Sequence, residues 1–387
     1  MITRILFPIL IVIVLSDFYF DRQYLKRHID RRWWIRPLWW FPGVAMAIFT
    51  IYLACSSAFI PDNMTLINTY LVLLGVVVVP KAVAALCSSL GLAWRKMRHQ
   101  RRNWGNLAAF ILSLGSLYIC IYGFTAGFMK LEVRHVDLYF DDLPDSFDGY
   151  RMVHFSDAHV GTFNGWRKKL LQRDIDSINN QHADIILFTG DLQNIRPQEL
   201  YPMQGILSSL KAKDGVVSVP GNHDYSEYSE ESPSVEAANR KELIDRQRRW
   251  GWSVLLNSHL TVRRGNDSIV IAGEQNLEVP DSADFKKTMS GISPTDFVIF
   301  MQHNPKSWDR YVKADRRVRL MLSGHVHGGQ IELFGWRPSS MMYHYDYGLH
   351  QEAGRALYVT SGIGALVPFR FGIPAEIVVI TLHKSSK

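Results

Sequence analysis

Apolar positions along the chain fall into two regimes that meet near residue 130. Before it they run almost unbroken in four stretches, about 5–20, 37–60, 64–80 and 105–128. After it they come in short runs separated by polar or glycine-containing turns. Residues 131–140 alternate like an edge strand, and 151–155, 185–189, 216–219, 269–272, 297–301, 319–322, 356–360 and 377–382 are runs of strand length. Amphipathic segments at 164–180, 235–250 and 305–313 stand between several of them and predict helices. Strands and helices mixed in this order predict an α/β fold, with two packed sheets covered by helices. The Ser/Glu-rich stretch 225–234 reads as a solvated surface loop.

The first regime has membrane dimensions. A spanning helix needs about 20 apolar residues, with a lower limit near ~17. The second and fourth stretches clear this easily. The first follows Arg4 and begins like a signal peptide, but Ser16-Asp17-Phe18-Tyr19-Phe20 offers no small-residue cleavage site, so it is expected to stay. Residues 21–36 hold six Lys/Arg and 94–104 hold five, whereas the turn at Pro61-Asp62-Asn63 holds none. The positive-inside rule makes both basic loops cytoplasmic, and four spans then place everything after residue 130 outside the cytoplasm. Three spans would reverse that. Trp33, Trp34, Trp39 and Trp40 fit interfacial anchors, and Lys81 reads as the start of the second basic loop, just past a span ending near Pro80. With no file of acids or histidines through the spans, residues 1–130 are expected to be a transmembrane anchor and 131–387 a separate domain.

Charge follows the same division. Residues 1–136 carry a balance of +10 against +7 for the whole chain, which leaves −3 for the remainder. The high pI belongs to the anchor, and a nucleic-acid partner is not expected. Cys55, Cys87 and Cys120 all lie in the first third, show no zinc or redox spacing, and read as small packing residues.

The chemistry sits at the ends of the strand-like runs. Asp157-Ala158-His159, Gly190-Asp191, Gly221-Asn222-His223-Asp224, Gln302-His303-Asn304 and Gly324-His325-Val326-His327 each follow one. Strand ends hold side chains rigidly, and the glycines at 190, 221 and 324 permit sharp turns and close backbone approach. Seven hard or borderline ligands delivered in this way suit two divalent metals sharing one carboxylate. The absence of thiolates favours Mn, Fe or Zn, or a mixed pair.

At these residues the chain closely resembles the calcineurin-like metallophosphoesterase superfamily, whose pattern is Asp-x-His, Gly-Asp, Gly-Asn-His-Asp/Glu, His and Gly-His-x-His. The resemblance covers about residues 131–387. It extends to Gly-His-Val-His-Gly-Gly-Gln at 324–330 and to the run from Phe369 to Ile377, which look like the bacterial membrane-associated or exported branch. It implies a four-layer α/β sandwich. It also implies that Asp157, His159 and His327 bind one metal, that Asn222, His303 and His325 bind the other, and that Asp191 bridges them. His223 would serve the leaving-group oxygen as acid or electrostatic partner, with Asp224 holding its ring.

The expected activity is therefore phosphoester hydrolysis by a membrane-anchored di-metal enzyme. The expected partners are the lipid bilayer and a phosphodiester or lipid-linked substrate, such as a phospholipid or an envelope precursor. Trp336, Met341, Met342, Tyr343, Tyr345 and Tyr347 suggest an aromatic lip beside the last ligand motif, weighed against a loop packed on its own domain. Two other readings stand beside this one. A UDP-2,3-diacylglucosamine-type pyrophosphatase would require a cytoplasmic domain, and a membrane scaffold with a structural metal would leave His223 without a use.

Overall fold

The computed structural model describes residues 2–26, 33–55 and 64–385. The chain divides into two compact units, Met1–Thr125 and Ala126–Lys387.

The first unit is helical: α1 Ile2–Phe20, α2 Ile35–Ala54, α3 Met64–Leu73, α4 Val79–Met97 and α5 Gly105–Tyr122. A π-helical turn joins α3 to α4, and another prolongs α5 to Gly127. Among the described residues, three helical stretches are long and apolar enough to cross a membrane: Ile35–Ala54, Met64–Met97 and Gly105–Gly127. The turn at 61–63 and the arginines at 27, 31 and 32 lie outside the described residues.

One expectation fails here. Pro80 does not end the third span: it comes just past the π-helical turn at Leu74–Val78, a local change of hydrogen-bond spacing of the kind that accommodates a proline, and the helix runs on to Met97. Lys81 therefore lies within a helix rather than in a loop. Its Nζ is 2.8 Å from Asp17 Oδ1, whose side chain is 1% exposed, and 4.5 Å from the centre of the Trp39 ring. Gly43 leaves the room for this pair, since a Cβ there would come within 1.8 Å of Asp17 Oδ2. Arg36 and Asp21 form a second pair through two hydrogen bonds of 2.6 and 2.7 Å.

Among the described residues the second unit holds twelve strands: β1 Leu131–Phe140, β2 Tyr150–Phe155, β3 Ile185–Phe188, β4 Val216–Ser218, β5 Trp252–Val254, β6 Ser258–Arg264, β7 Asp267–Gly273, β8 Phe297–Met301, β9 Val318–Ser323, β10 Gly348–Glu352, β11 Arg355–Val359 and β12 Ala375–Lys384. They form two six-stranded sheets, ordered β1-β12-β2-β3-β4-β5 and β10-β11-β9-β8-β7-β6. The runs β2-β3-β4 and β7-β8-β9 are parallel. Parallel strands are buried on both faces, which is why they read as continuous apolar runs rather than as alternation.

The period of two still decides which face each residue serves. Met152, Ile185, Leu187, Val217, Ile299, Leu320 and Leu322 point between the sheets. Their neighbours Val153, Ile186, Phe188 and Val216 point to the helices covering the first sheet. Val298, Phe300 and Met321 point to the outer side of the second, beneath Trp308. The result is a four-layer α/β sandwich. On the first sheet, α6 Lys168–Asn179 buries Leu171, Ile175 and Ile178 at helical spacing, and α7 Pro233–Arg249 buries Leu243 and Ile244. The strands that sequence reading missed, β5, β6 and β10, are edge strands, short or with one face in water, so their sequences carry little apolar signal.

Candidate metal centre

All five motifs leave the C-terminal ends of parallel strands, three in the first sheet and two in the second, so both sheets deliver ligands to one edge. Asp157 and His159 follow β2, Asp191 follows β3, Asn222 follows β4, His303 follows β8, and His325 and His327 follow β9. Five of these seven have left-handed backbones: Asp157 (φ 51°), His159 (43°), Asp191 (61°), His325 (73°) and His327 (54°). Non-glycine residues held there cost of order 1 kcal/mol or more each, and such strain concentrates at functional sites. Gly221 and Gly324 are required by close approach: a Cβ on either would come within 2.2 Å of a carboxylate oxygen, of Asp191 and Asp157 respectively.

The turns bring the side chains together. His327 Nε2 lies 3.3 Å from Asp157 Oδ1, while His303 Nε2 and His159 Nε2 lie 3.1 and 3.6 Å from Asp191 Oδ2. His325 Nδ1 is 2.9 Å from Asn222 Oδ1. Asp157–His159–His327, His159–Asp191–His223 and Asp157–Asp191–His303 each place three possible ligand atoms within 4.8 Å of one another. These residues are buried or nearly so.

The donor set fits divalent metals. His303 Nδ1 is 2.7 Å from the Thr189 carbonyl, so it carries the hydrogen and leaves Nε2 facing Asp191. Yet Nε2 makes no hydrogen bond despite its 3.1 Å approach. The two atoms aim at shared space rather than at each other, as ligands around a cation do. Burial opposes a charge on His303, but Asp191 and Asp157 overcome it and push its pKa up to about 9. Burial holds His325 down to about 3, with His303 adding repulsion, and also lowers His159 and His327. His159, His325 and His327 are thus held neutral, the form that binds metal, and His303, the exception, would give up its proton to a cation that took its place between the two aspartates.

His223 sits at the rim, half-buried, with its backbone N–H donating to Asp191 Oδ1 at 2.8 Å and its ring 4.8 Å from that of His159. Its Nδ1 is 2.6 Å from the carbonyl oxygen of Asn194, an acceptor only, so Nδ1 is the protonated nitrogen. The expectation that Asp224 holds this ring is therefore corrected. Asp224 accepts backbone N–H bonds from Asp191, Leu192 and Gly221 at 2.8–2.9 Å, and so fixes the Asp191 turn from beneath. Burial, with repulsion from Asp191, pushes its pKa up to about 7. Adjacent residues on this turn point apart, and a carbonyl from another loop takes the ring.

Several participants were missed. Tyr228 lies within the stretch read as solvated, yet its ring is 4.4 Å from that of His223 and its hydroxyl accepts from Asn222 Nδ2 at 2.9 Å. Tyr225 and Ser226 beside it are buried. Tyr343 brings its hydroxyl 3.1 Å from His325 Nε2. Glu199 accepts the Asn194 and Ile195 N–H groups at 2.6 and 2.9 Å, which steadies the carbonyl that holds His223. Arg370 is fully buried behind Asp157, and its guanidinium donates to the carbonyls of Ser361, Gly362, Gly364 and Pro374. Only Tyr343 and Arg370 had a sequence signal, the first as part of the lip and the second inside the Phe369–Ile377 resemblance.

Comparison with known proteins gives the family. Residues 150–329 match the family model for calcineurin-like phosphoesterases, and residues 3–128 match one described as "probable calcineurin-like phosphoesterase, transmembrane domain". The uncharacterized metallophosphoesterase YkuE of Bacillus subtilis is 32% identical over 253 residues, covering 63% of this chain and 82% of that protein. A Danio rerio transmembrane protein with metallophosphoesterase domain is 28% identical over 279 residues, 69% of this chain and 61% of its own length. An uncharacterized metallophosphoesterase of Helicobacter pylori is 26% identical over 297 residues, 73% and 71% respectively. The chain belongs to the calcineurin-like metallophosphoesterases, in the form that carries a four-helix transmembrane domain ahead of the phosphoesterase domain.

Proposed function

We propose that the chain is a membrane-anchored, metal-dependent hydrolase of phosphodiesters or lipid-linked phosphoesters, working on the extracytoplasmic side. The observation that carries the catalytic reading is the convergence of Asp157, His159, Asp191, Asn222, His303, His325 and His327 from five strand ends onto one buried cluster. Asp157, His159 and His327 would hold one metal and Asn222, His303 and His325 the other, with Asp191 between them. Bound there, a metal pair supplies an activated water and neutralises the oxygens of the phosphoryl group.

The protein's own residues do the rest. Asp224 and the Asp191 turn keep the shared carboxylate from rotating. The Asn194 carbonyl pins Nδ1 of His223, so that a protonated ring has only Nε2–H to offer a departing oxygen. Tyr228 packs against that ring at a tilt of 35° and restricts its swing. The membrane side rests on the two basic loops and on taking the helix Ile2–Phe20 as a fourth span beside the three stretches long and apolar enough to cross.

The test is turnover of bis-p-nitrophenyl phosphate by the purified chain with Mn2+, alongside metal content. Asp191→Ala is expected to lose metal and activity together. His223→Ala is expected to keep its metal while turnover falls by about 10²–10⁴-fold, the usual worth of a general acid. Equal metal loss in both variants would remove His223 from its assigned role.

A further inference from the structure

We propose that the loop 333–342 seats in the bilayer interface and holds the metal-bearing edge of the domain against the membrane surface. Its polarity is inverted. Phe334, Trp336, Met341 and Met342 are 108%, 51%, 78% and 79% exposed, four large apolar side chains within nine residues. Single exposed hydrophobics are ordinary, but a contiguous group marks an interaction surface.

The charged residue of the loop, Arg337, and the buried Ser339 turn toward acids at its base. Arg337 bonds both oxygens of Asp346 at 2.8 and 3.0 Å and Glu332 at 2.8 Å, and Ser339 Oγ bonds Asp346 at 2.7 Å. These groups bring no unpaired charge to an apolar medium.

The backbone is built to project the apolar tip. Leu333 and Trp336 exchange two backbone hydrogen bonds of 2.9 and 3.0 Å across a two-residue turn. Phe334 and Gly335 fill that turn at φ 54° and 80°, as a type I′ hairpin demands. Glycine or asparagine would relieve the first position, yet a phenylalanine stands there with its ring wholly in solvent. A bulky residue in that conformation is strained, and such strain marks function.

The strand register names the occupant. β1 lies parallel to β12 with Leu131 opposite Ala375, and β12 runs antiparallel to β2 with Val378 opposite His154. Leu131 therefore lies at the same edge of the sheet as the end of β2, where Asp157 begins the metal centre. Only Lys130 separates β1 from the helical residues that continue the last span. The tether to the membrane thus enters the domain at its metal-bearing edge. The loop belongs to that edge too: a Cβ on Gly329, two residues past His327, would come within 2.8 Å of Ser339 Oγ, and Tyr343 reaches His325. A surface at the edge where the tether enters, displaying Phe, Trp and Met, matches the bilayer interface.

The experiment uses the full-length chain in phospholipid nanodiscs, with Cys55, Cys87 and Cys120 replaced by serine. An environment-sensitive fluorophore is attached at Phe334→Cys or Met341→Cys, and for comparison at Tyr139→Cys. Tyr139 is exposed near the far end of β1, roughly 25–30 Å along the strand from Leu131. Lipid carrying a quencher in its upper acyl region is expected to quench the 334 and 341 probes several-fold more than the 139 probe, with aqueous iodide showing the reverse order. Probes at 334 and 341 that iodide quenches as fully as the one at 139 would overturn the proposal. So would probes that are shielded from iodide but untouched by the lipid quencher, the result that a protein partner or second copy would give. No turnover is involved, so failure here leaves the hydrolase reading standing, and an inactive protein leaves this inference testable.

Discussion

Replacing Arg370 with methionine should destabilise the phosphoesterase domain and loosen the seat of Asp157. The guanidinium is fully buried and reaches four carbonyl oxygens, Nη1 donating to Pro374 O at 2.9 Å and the two hydrogens of Nη2 shared among Ser361, Gly362 and Gly364 O at 2.8, 3.0 and 2.6 Å. Those carbonyls belong to a loop that grips the first metal-ligand turn. Ile363 N donates to Ser156 O and Gly364 N to Asp157 O, and a Cβ on Gly362 would come within 2.6 Å of Asp157 Cβ. A buried acceptor left without a partner costs about 1–3 kcal/mol. Relaxation of the loop recovers part of the total. So does removal of a buried cation, whose pKa burial already pulls down to about 10. Two orphaned acceptors, together with the loosened loop, put the net loss at about 3–5 kcal/mol. At about 2–4 °C per kcal/mol for a domain approaching this size, Tm should fall by about 6–20 °C. Tryptophan-fluorescence melts of the detergent-solubilised chain, wild type against Arg370→Met, measure it. Arg370→Lys keeps the charge but lacks the fork, and should fall between. A shift below about 2 °C in Arg370→Met would refute the reasoning, because the Ser361 and Gly364 carbonyls are left without a donor, while Glu376 N and Ser361 Oγ still serve those of Gly362 and Pro374.

Two further predictions concern other buried charges. Burial, with Asp284 and Asp281 adding repulsion, pushes Glu274 up to about 7 despite the hydrogen bond from Tyr311. The folded state then binds this proton more tightly than the unfolded chain. Its contribution is full below about pH 4.5 and fades as pH rises through about 7, by about 3 kcal/mol at most. Glu274→Gln should flatten that decline in melts between pH 5 and 8, and an unchanged slope would exclude Glu274 as its source. Lys81→Met leaves Asp17 buried without its partner and should lower helical-unit stability by about 3–5 kcal/mol, with Asp17→Asn/Lys81→Met recovering part of it. Thermal melts in detergent that show the single variant as stable as wild type would contradict an ion pair that matters.

What was legible in the sequence follows from where the physics is local. The parallel strands announced themselves because burial on both faces makes them continuously apolar, and the metal ligands did so because each sits within a few residues of such a strand's end. The strand Gly348–Glu352 stayed hidden because a solvated edge strand tolerates Leu-His-Gln-Glu. Lys81 was misplaced because its partner, Asp17, lies 64 residues away and no local pattern links them. Tyr228 was masked by its Ser/Glu-rich neighbours, although the chain turns its ring back onto His223. Asp224 was assigned to the wrong partner because adjacency in sequence says little about which way side chains point on a tight turn. Arg370 could not be read as buried from Phe-Arg-Phe-Gly, since its acceptors come from the surrounding loop at Ser361, Gly362, Gly364 and Pro374, and nothing in those four residues says how that loop turns its carbonyls inward.

Anomalous diffraction from crystals of the chain loaded with Mn2+ tests the central claim most directly. The account predicts two peaks within the cluster, one against Asp157, His159 and His327 and one against Asn222, His303 and His325, with the Asp191 carboxylate touching both. A cluster with no anomalous density, or ions bound only elsewhere on the domain, would contradict it.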